Sequence, residues 1–137
     1  ILRPYQFCNL TEVIVRATDT IEDLRYKVRV ASILGTWQST MTDFPYLRKI
    51  WERNTAEERL LGVSLTGIMD HYLLSKATGD ASTWLVEMKN HAIEVNKKYA
   101  LMLNINPSAA ITCVKPSGTV SQLVDAASGI HARHSRY

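Results

Sequence analysis

One segment of the sequence combines hydroxyl side chains with a strand-to-helix turn, the parts from which many phosphate sites are built. It runs from Pro116 to Ser121 and contains Ser117, Gly118 and Thr119. Proline ends the preceding strand because it has no N–H for the ladder. The unpaired N–H groups and the dipole at the start of the next helix then favour an anion. The alternative is an ordinary capped helix start without a ligand. A P-loop is excluded, since no Gly-Lys-Ser/Thr follows.

The two cysteines of the chain have different surroundings. Cys113 lies in an apolar run that predicts a short buried strand from Thr112 to Val114, where a thiol acts as a small hydrophobic group. We expect Lys115 to point to the opposite face of that strand. Cys8 precedes another strand, and its local sequence leaves open a buried thiol or a redox-active one. Neither cysteine has the spacing of a zinc site, so the sequence predicts no metal site.

Other polar residues are weaker candidates for contact with a ligand. Ser64, Thr66 and Gly67 lie at the end of a predicted strand, where small residues more often allow close packing than line a pocket. His71 lies just beyond them, and a lone histidine there is read as structural. A basic cluster near the C-terminus is either a solvated tail or part of a ligand site; its members are His131, Arg133, His134 and Arg136.

Length and composition limit the function classes. The chain has 137 residues, 46% of them hydrophobic and 21% charged, which suits one folded domain. A net charge of +3, without a long basic block, does not indicate nucleic-acid binding. No secretory, transit or membrane-spanning pattern is present, so we expect a cytoplasmic protein without a membrane partner. Because the chain starts at Ile1 and stops at Tyr137 in mid-pattern, we also expect it to be a piece of a larger protein.

The elements that position these residues alternate between strands and helices. Apolar and polar periodicity predicts an α/β sheet or barrel, in which ligands meet the carboxyl ends of the strands. The predicted elements are a strand at Asn9–Val15, a helix capped at Thr18–Thr20 that fades near Gly35, a helix from Asp43–Pro45 through Trp51, a strand at Arg59–Gly67, a short helix at Ile68–Ser75 closed by Gly79, a long helix after Asp80 that reaches Met102, and the strand, turn and helix around Pro116.

Four blocks of this sequence resemble a known family. They are Pro4–Leu10, Glu58–Gly67, Lys115–Ser121 and Ala127–Arg133. Their content and order are similar to the adenosylcobalamin-dependent (class II) ribonucleotide reductases, and the blocks span nearly the whole chain. The Pro-Ser-Gly-Thr form and the Gly-Ile-His-Ala-Arg ending look most like the monomeric, triphosphate-reducing branch. Two alternatives stay open: a dimeric diphosphate reductase of the same class, and a non-catalytic nucleotide- or anion-binding α/β module.

The resemblance implies a fold and a reaction. The fold is a helix-rich part of a ten-stranded α/β barrel, with residues 1–137 forming a C-terminal portion of the catalytic domain. The reaction is reduction of ribonucleoside triphosphates to 2′-deoxyribonucleotides for DNA synthesis, through a thiyl radical started by adenosylcobalamin. Thioredoxin or a similar dithiol is the implied reductant, and the parent protein is expected to be a monomer in the cytoplasm of a bacterium or a phage-infected cell.

The resemblance also assigns site residues. Cys8 matches one of the two reducing cysteines, which suits a dithiol that delivers two electrons and becomes a disulfide. The positions that match the substrate-phosphate region are Pro116, Ser117, Gly118, Thr119, Val120 and Ser121, with Lys115, His131 and Arg133 as further residues near the ligand. The family's radical cysteine, in an Asn-Pro-Cys-Gly-Glu segment, its second reducing cysteine and most of its cobalamin site have no counterpart here. We therefore expect the isolated chain to be inactive.

Overall fold

The computed structural model describes residues 2–135, and its centre is a parallel sheet. Strands β1 (Asn9–Ile14) and β2 (Leu61–Thr66) pair in parallel along their whole length. On the other edge of β2, Thr112 forms an isolated parallel bridge with Val63, and the Cys113 N–H donates to the Val63 carbonyl at 3.0 Å. The two predicted strands are confirmed. Arg136, which the sequence places in the basic cluster, lies outside the described residues, as do Ile1 and Tyr137.

Helices alternate with these strands along the chain, which is α/β as expected. The helices are α1 (Ile21–Gln38), α2 (Lys49–Glu58), α3 (Gly79–Met102) and α4 (Thr119–Leu123), with a single 3₁₀ turn at Ile68–Asp70. Helix α1 packs on both strands and on α3. None of the helices in the described part of the chain has the length and apolar character needed to cross a membrane.

Helix α1 begins as predicted but continues beyond the predicted end. The Thr20 hydroxyl accepts the Asp23 N–H at 3.2 Å, and the Asp23 carboxylate accepts the Thr20 N–H at 2.9 Å, so a capping box fixes the start. The predicted fade at Gly35 is wrong, because the helix reaches Gln38. A Cβ at Gly35 would lie 2.7 Å from Leu61 Cδ2, which indicates that glycine serves close contact with β2 here.

The predicted start of the second helix at Asp43–Pro45 is also wrong. Residues 45–47 form a turn, in which the Leu47 N–H donates to the Phe44 carbonyl at 3.0 Å. Phe44 packs edge-on against Phe7 with ring centroids 5.0 Å apart, which draws this segment toward the aromatic cluster at the N-terminus. Helix α2 therefore begins only at Lys49.

The predicted helix at Ile68–Ser75 is reduced to the 3₁₀ turn, and Gly79 starts α3 rather than closing the preceding element. The reason is His71, which is fully buried. Its Nδ1 accepts the N–H groups of Leu73 and Leu74, and its Nε2 lies 2.8 Å from the Asp19 carbonyl. These bonds take the place of the i−4 bonds that the N–H groups of Leu73 and Leu74 would make in a helix. The structural interpretation of His71 is confirmed.

The expectation of a buried strand from Thr112 to Val114 is wrong. Only Thr112 meets the sheet as a bridge, and all three side chains are exposed, that of Val114 by 77%. Ile111, one residue earlier, is buried and belongs to the core with Val63. The segment borders β2 on one side, and in the described part of the chain no strand covers its other side, so its apolar side chains face outward.

A buried polar cluster joins α3, α1 and the segment before Ile111, and it supports a stability prediction. Asn96 is 1% exposed; its amide donates to Thr36 Oγ1 and Ser108 Oγ at 2.9 Å, and its oxygen accepts the Ser108 N–H. Asn96→Ala leaves these buried groups unpaired and should lower the free energy of unfolding by about 2–3 kcal/mol. Urea denaturation measures this free energy of unfolding, and Lys98→Ala, at an exposed position of the same helix, is the control. Equal stability of the two variants would contradict this role.

Candidate functional site

The turn between the sheet and α4 is open on its outer side. Gly118 adopts φ 60° and ψ −123°, a conformation that favours glycine, and a Cβ there would have no atom within 4 Å. Ser117 beside it is buried, and its hydroxyl oxygen has no hydrogen-bond partner among the described residues. Its N–H donates to Ser128 Oγ at 3.2 Å. A ligand can therefore approach the backbone at Gly118, next to a buried hydroxyl that lacks a partner.

The remaining residues of the predicted phosphate segment divide into two groups. Pro116, Thr119 and Val120 are exposed. Because α4 begins at Thr119, the first N–H groups of this helix have no intrahelical acceptor. Ser121 differs, since its side chain is fully buried and its hydroxyl donates to the Gly118 carbonyl at 2.8 Å. Ser121 therefore stabilises the turn and does not face outward.

The loop after α4 is fastened to the end of β2. The Thr66 hydroxyl donates to the Ala127 carbonyl at 3.0 Å and accepts the Gly129 N–H at 2.8 Å, and Gly67 N–H donates to the same carbonyl at 2.7 Å. Gly67 has φ 81°, and a Cβ there would lie 2.4 Å from the Val15 carbonyl oxygen. The interpretation of Thr66 and Gly67 as packing residues is confirmed, and the contact explains why these types are required.

Arg133 completes this attachment by binding two carboxylates. Its Nε and Nη2 lie 2.8 and 3.1 Å from the two carboxylate oxygens of Asp70, and its Nη1 lies 2.5 Å from Asp125 Oδ1. Asp70 Oδ2 also accepts the Ala127 N–H at 2.7 Å. We call Asp70, Asp125 and Arg133 the loop clamp. Asp70 and Asp125 were not found from the sequence, because nothing local marks them as partners of a residue near the C-terminus.

Charge in the loop clamp is balanced locally. The hydrogen bonds from the Arg133 guanidinium, and then that from the Ala127 N–H, hold the pKa of the Asp70 carboxyl below its ordinary value of 3.8. The two carboxylates raise the pKa of Arg133 in turn. Since the Asp70 pKa is lowered on folding, its stabilising contribution is present above about pH 4 and is lost as pH falls through the lowered value. The clamp is therefore intact at neutral pH.

A pocket of about 700 Å³ lies between the open turn and this loop. Its lining includes Gly118, Ser121, Ser128, His131 and Arg133. The volume is within the range of small-molecule sites, roughly 300–1,000 Å³. The structure thus brings together the turn at Gly118 and the loop at His131 and Arg133, which were predicted to share one ligand. His131 is exposed there, whereas the Arg133 guanidinium already has carboxylate partners.

The two thiols lie together at the opposite end of the sheet from this turn. A Cβ at Gly62 would lie 3.1 Å from Cys113 Sγ and 3.4 Å from Cys8 Sγ. Burial raises the pKa of both thiols, and that of Cys8 is raised further by Cys113. The charge of Lys115 lowers both pKa values. The expectation that Lys115 points away from Cys113 is therefore wrong, because residues two apart in an extended segment share a face.

Comparison with known proteins gives one consistent match. No protein-family model matches the chain. A probable adenosylcobalamin-dependent ribonucleoside-triphosphate reductase of Dictyostelium discoideum is 30% identical over 99% of the chain, and its Euglena gracilis counterpart is 26% identical over 99%. The Lactobacillus gasseri enzyme of the same name is 28% identical over 95%. The chain spans about a fifth of the length of these relatives, 17%, 18% and 20% respectively.

The same match is seen in three dimensions. A crystal structure of a B12-dependent (class II) ribonucleotide reductase superposes with a TM-score of 0.79 at 24% identity. The superposition covers 97% of this chain and 22% of that one. The path of this chain through β1, β2 and the helices around them is therefore the path of a section of that fold.

Proposed function

The chain belongs to the family of adenosylcobalamin-dependent ribonucleoside-triphosphate reductases, and we propose that it forms the substrate-phosphate end of such an enzyme's catalytic domain. On this proposal residues 1–137 are a C-terminal portion of a ten-stranded α/β barrel. Strands β1 and β2 and the segment that bridges at Thr112 are then neighbouring strands of that barrel. The parallel pairing and the helices on one face of the sheet support it, because a parallel barrel needs both.

The observation that carries the proposal is the open turn at Gly118. The buried Ser117 hydroxyl has no partner among the described residues, and the free N–H groups at Thr119 and Val120 stand beside it. Hydrogen bonds to an ionised phosphate are about twice as strong as neutral ones. We therefore assign Pro116–Ser121 to the substrate triphosphate, with Ser117, Gly118 and Thr119 touching it and Ser121 holding the turn.

The proposal gives a different role to each of three residues around the turn, His131, Arg133 and Lys115. His131 lines the pocket with an exposed side chain and is suited to approach a phosphate oxygen. Arg133 acts through the loop clamp, because its guanidinium is bound by Asp70 and Asp125. Lys115 lies near the thiols, whose pKa values are raised by burial, and its charge offsets part of that rise. On this proposal Lys115 acts on Cys8.

Cys8 is proposed as one of two reducing thiols. It is half-buried just before β1, on the sheet face opposite α1, and it is not in a disulfide. In the reaction, the ribose 2′-hydroxyl leaves as water and hydrogen takes its place. The two electrons and two protons come from Cys8 and a second cysteine outside this chain, which become a disulfide. An external dithiol, thioredoxin or a relative, then reduces that disulfide and is itself oxidised.

Adenosylcobalamin is implied for the whole protein by the names of the relatives. The pocket at the turn has a volume of about 700 Å³, within the range of drug-sized ligands and small for a corrinoid with its nucleotide and adenosyl arms. We propose that most of the cofactor's site lies elsewhere in a monomeric, cytoplasmic parent protein, where the cofactor would supply the initiating radical.

An assay of the complete protein that carries this chain tests the proposal. With adenosylcobalamin and a dithiol, a ribonucleoside triphosphate should be converted to its 2′-deoxy form, and omission of either should stop the reaction. The 137-residue chain alone should be inactive, since it has no radical cysteine. Conversion of diphosphates but not triphosphates would overturn the assignment to this branch, and failure to convert either would overturn the reductase function.

A further inference from the structure

The residues just before Cys8 have no regular secondary structure, but hydrogen bonds hold them against α2. We call residues 3–7 the entry segment. The Gln6 side chain in this segment is buried, and its amide donates to Glu58 Oε2 at 2.7 Å and to the Asn54 carbonyl at 3.3 Å. Both acceptors belong to the last turns of α2. The entry segment is therefore attached to this helix by a side chain that has no room to move into solvent.

The entry segment also contains a backbone conformation that needs support. Tyr5 has φ 60°, in the left-handed region that residues with a side chain seldom adopt. Its ring meets the ring of Trp51 edge-on with centroids 5.7 Å apart, and the Arg48 guanidinium lies 4.5 Å from its centroid. Arg48 directly precedes α2, and Trp51 lies in its first turn. Because such a conformation persists only where its surroundings hold it, the start of α2 fixes the path of the chain toward Cys8.

The two neighbours of Cys8 in the chain are each fixed by a backbone hydrogen bond. The Phe7 N–H donates to Oγ1 of Thr55, a buried residue of α2, at 3.3 Å. On the other side, the Asn9 N–H donates to the Leu60 carbonyl at 2.8 Å. Neither bond uses the thiol. The backbone on both sides of Cys8 is thus held in place while its side chain stays available for reaction.

We propose that α2 positions the reducing thiol, with Thr55 and Glu58 as its positioning residues. They hold the entry segment through the Phe7 N–H and the Gln6 amide, so that Cys8 Sγ stays on the sheet face opposite α1. A displacement of about 1 Å at a reacting group lowers a rate by roughly a hundredfold, so a small movement of this segment is enough to slow the step at Cys8. This inference rests on the proposed role of Cys8 as a reducing thiol.

A positioning role and a merely structural role change different quantities. The turn at Gly118 is attached to the carboxyl end of β2 through Thr66 and the loop after α4, whereas the entry segment meets α2 before β1 begins. A change in α2 should therefore slow the step at Cys8 and leave triphosphate binding as it was. General loss of stability would instead lower the fraction of folded enzyme and would not depend on which atom was removed.

Thr55→Val in the complete protein tests the proposal, because valine has nearly the shape of threonine and lacks the oxygen that accepts the Phe7 N–H. The rate of a single turnover at saturating ribonucleoside triphosphate should fall by about tenfold or more, and the half-saturating concentration should not change. Thr55→Ser keeps the oxygen and should restore most of the rate. Arg53→Ala, at an exposed position of the same helix, is the control and should have neither effect.

Glu58 provides a second pair of variants that does not alter a buried position. Its side chain is about one-third exposed, at 30%, so these variants should fold even where Thr55→Val does not. Glu58→Ala should slow the single turnover in the same way as Thr55→Val. Glu58→Gln should recover much of the rate, because its amide oxygen can still accept the Gln6 amide. Circular dichroism checks that each variant is folded.

Alkylation of Cys8 by iodoacetamide, followed by mass spectrometry of its peptide, gives a readout that needs no turnover. Since burial raises the pKa of the Cys8 thiol, release of the entry segment should make the thiol more reactive, by roughly threefold or more in Thr55→Val and Glu58→Ala. Unchanged alkylation and turnover in both variants would overturn the proposal, as would a lost rate that Thr55→Ser and Glu58→Gln do not restore. If the unmodified protein reduces no ribonucleotide, the proposed function fails, while the alkylation rates still decide whether α2 holds Cys8.

Discussion

Replacing Cys8 by serine in the complete protein is expected to reduce sustained turnover by at least about a thousandfold, as happens when a group that takes part in the chemistry is removed. Serine has nearly the same size as cysteine, but its hydroxyl cannot be oxidised to a disulfide and so cannot supply the reducing electrons. Substrate binding should persist, because Cys8 lies on the sheet face near Gly62 and not at the Gly118 turn.

Cys113→Ser is the matched control for this variant. It removes the neighbouring thiol, whose sulfur lies beside the same glycine, and should retain turnover. Thiol counting separates the roles further. Unmodified protein given substrate without a dithiol should lose two thiols for each product formed, and Cys8→Ser should lose none. If Cys8→Ser turns over normally, or if Cys113→Ser abolishes turnover, Cys8 is not the reducing thiol.

Asp70→Ala is expected to lower kcat/KM for the triphosphate by roughly a hundredfold, because displacement of a binding element by about 1 Å has effects of that size. Asp70 holds two nitrogens of Arg133 and the Ala127 N–H, and the loop it holds carries Ser128, which accepts the Ser117 N–H. The loss should appear mainly in KM, since Asp70 is proposed to position the phosphate turn and not to react.

Asp125→Ala is the control for the loop clamp. The Asp125 carboxylate is largely exposed and pairs with Arg133, and exposed ion pairs contribute little. It should leave KM close to that of the unmodified protein. Asp70→Asn should recover part of the loss, because its amide oxygen can still accept the Ala127 N–H. An unchanged KM in Asp70→Ala would show that the clamp does not position the turn.

Elements with a strong local pattern were predictable from the sequence. Helix α3 has an apolar stripe over more than six turns, and β1 and β2 are short runs of β-branched and apolar residues between turn signals. The start of α1 at Thr20 lies within the Thr18–Thr20 segment predicted to cap it, because a cap bonds to residues of the first turn. These features depend on neighbours in the chain, and a single sequence displays them.

Features that depend on distant contacts were not predictable. The Asp70–Arg133 pair joins residues 63 apart, and no local pattern marks them as partners. The His71 ring, which ends the 3₁₀ turn, acts through bonds that only the folded chain brings within reach. Residues Thr112–Val114 have the composition of a buried strand, but their side chains are exposed. Composition indicates that a segment suits a sheet and does not indicate whether that part of the sheet is covered.

The most direct test of the central claim, that Pro116–Ser121 hold the substrate's phosphates, is the affinity of the complete protein for a ribonucleoside triphosphate. Ser117→Ala with Thr119→Ala should weaken it by about a hundredfold or more, since two hydrogen bonds to charged groups contribute about 1.5–3 kcal/mol each. Affinity for the nucleoside without phosphates should not change. Ser82→Ala with Thr83→Ala, exposed on α3, should leave both affinities unchanged. Triphosphate affinity unaltered by the Ser117 and Thr119 replacements would contradict the claim.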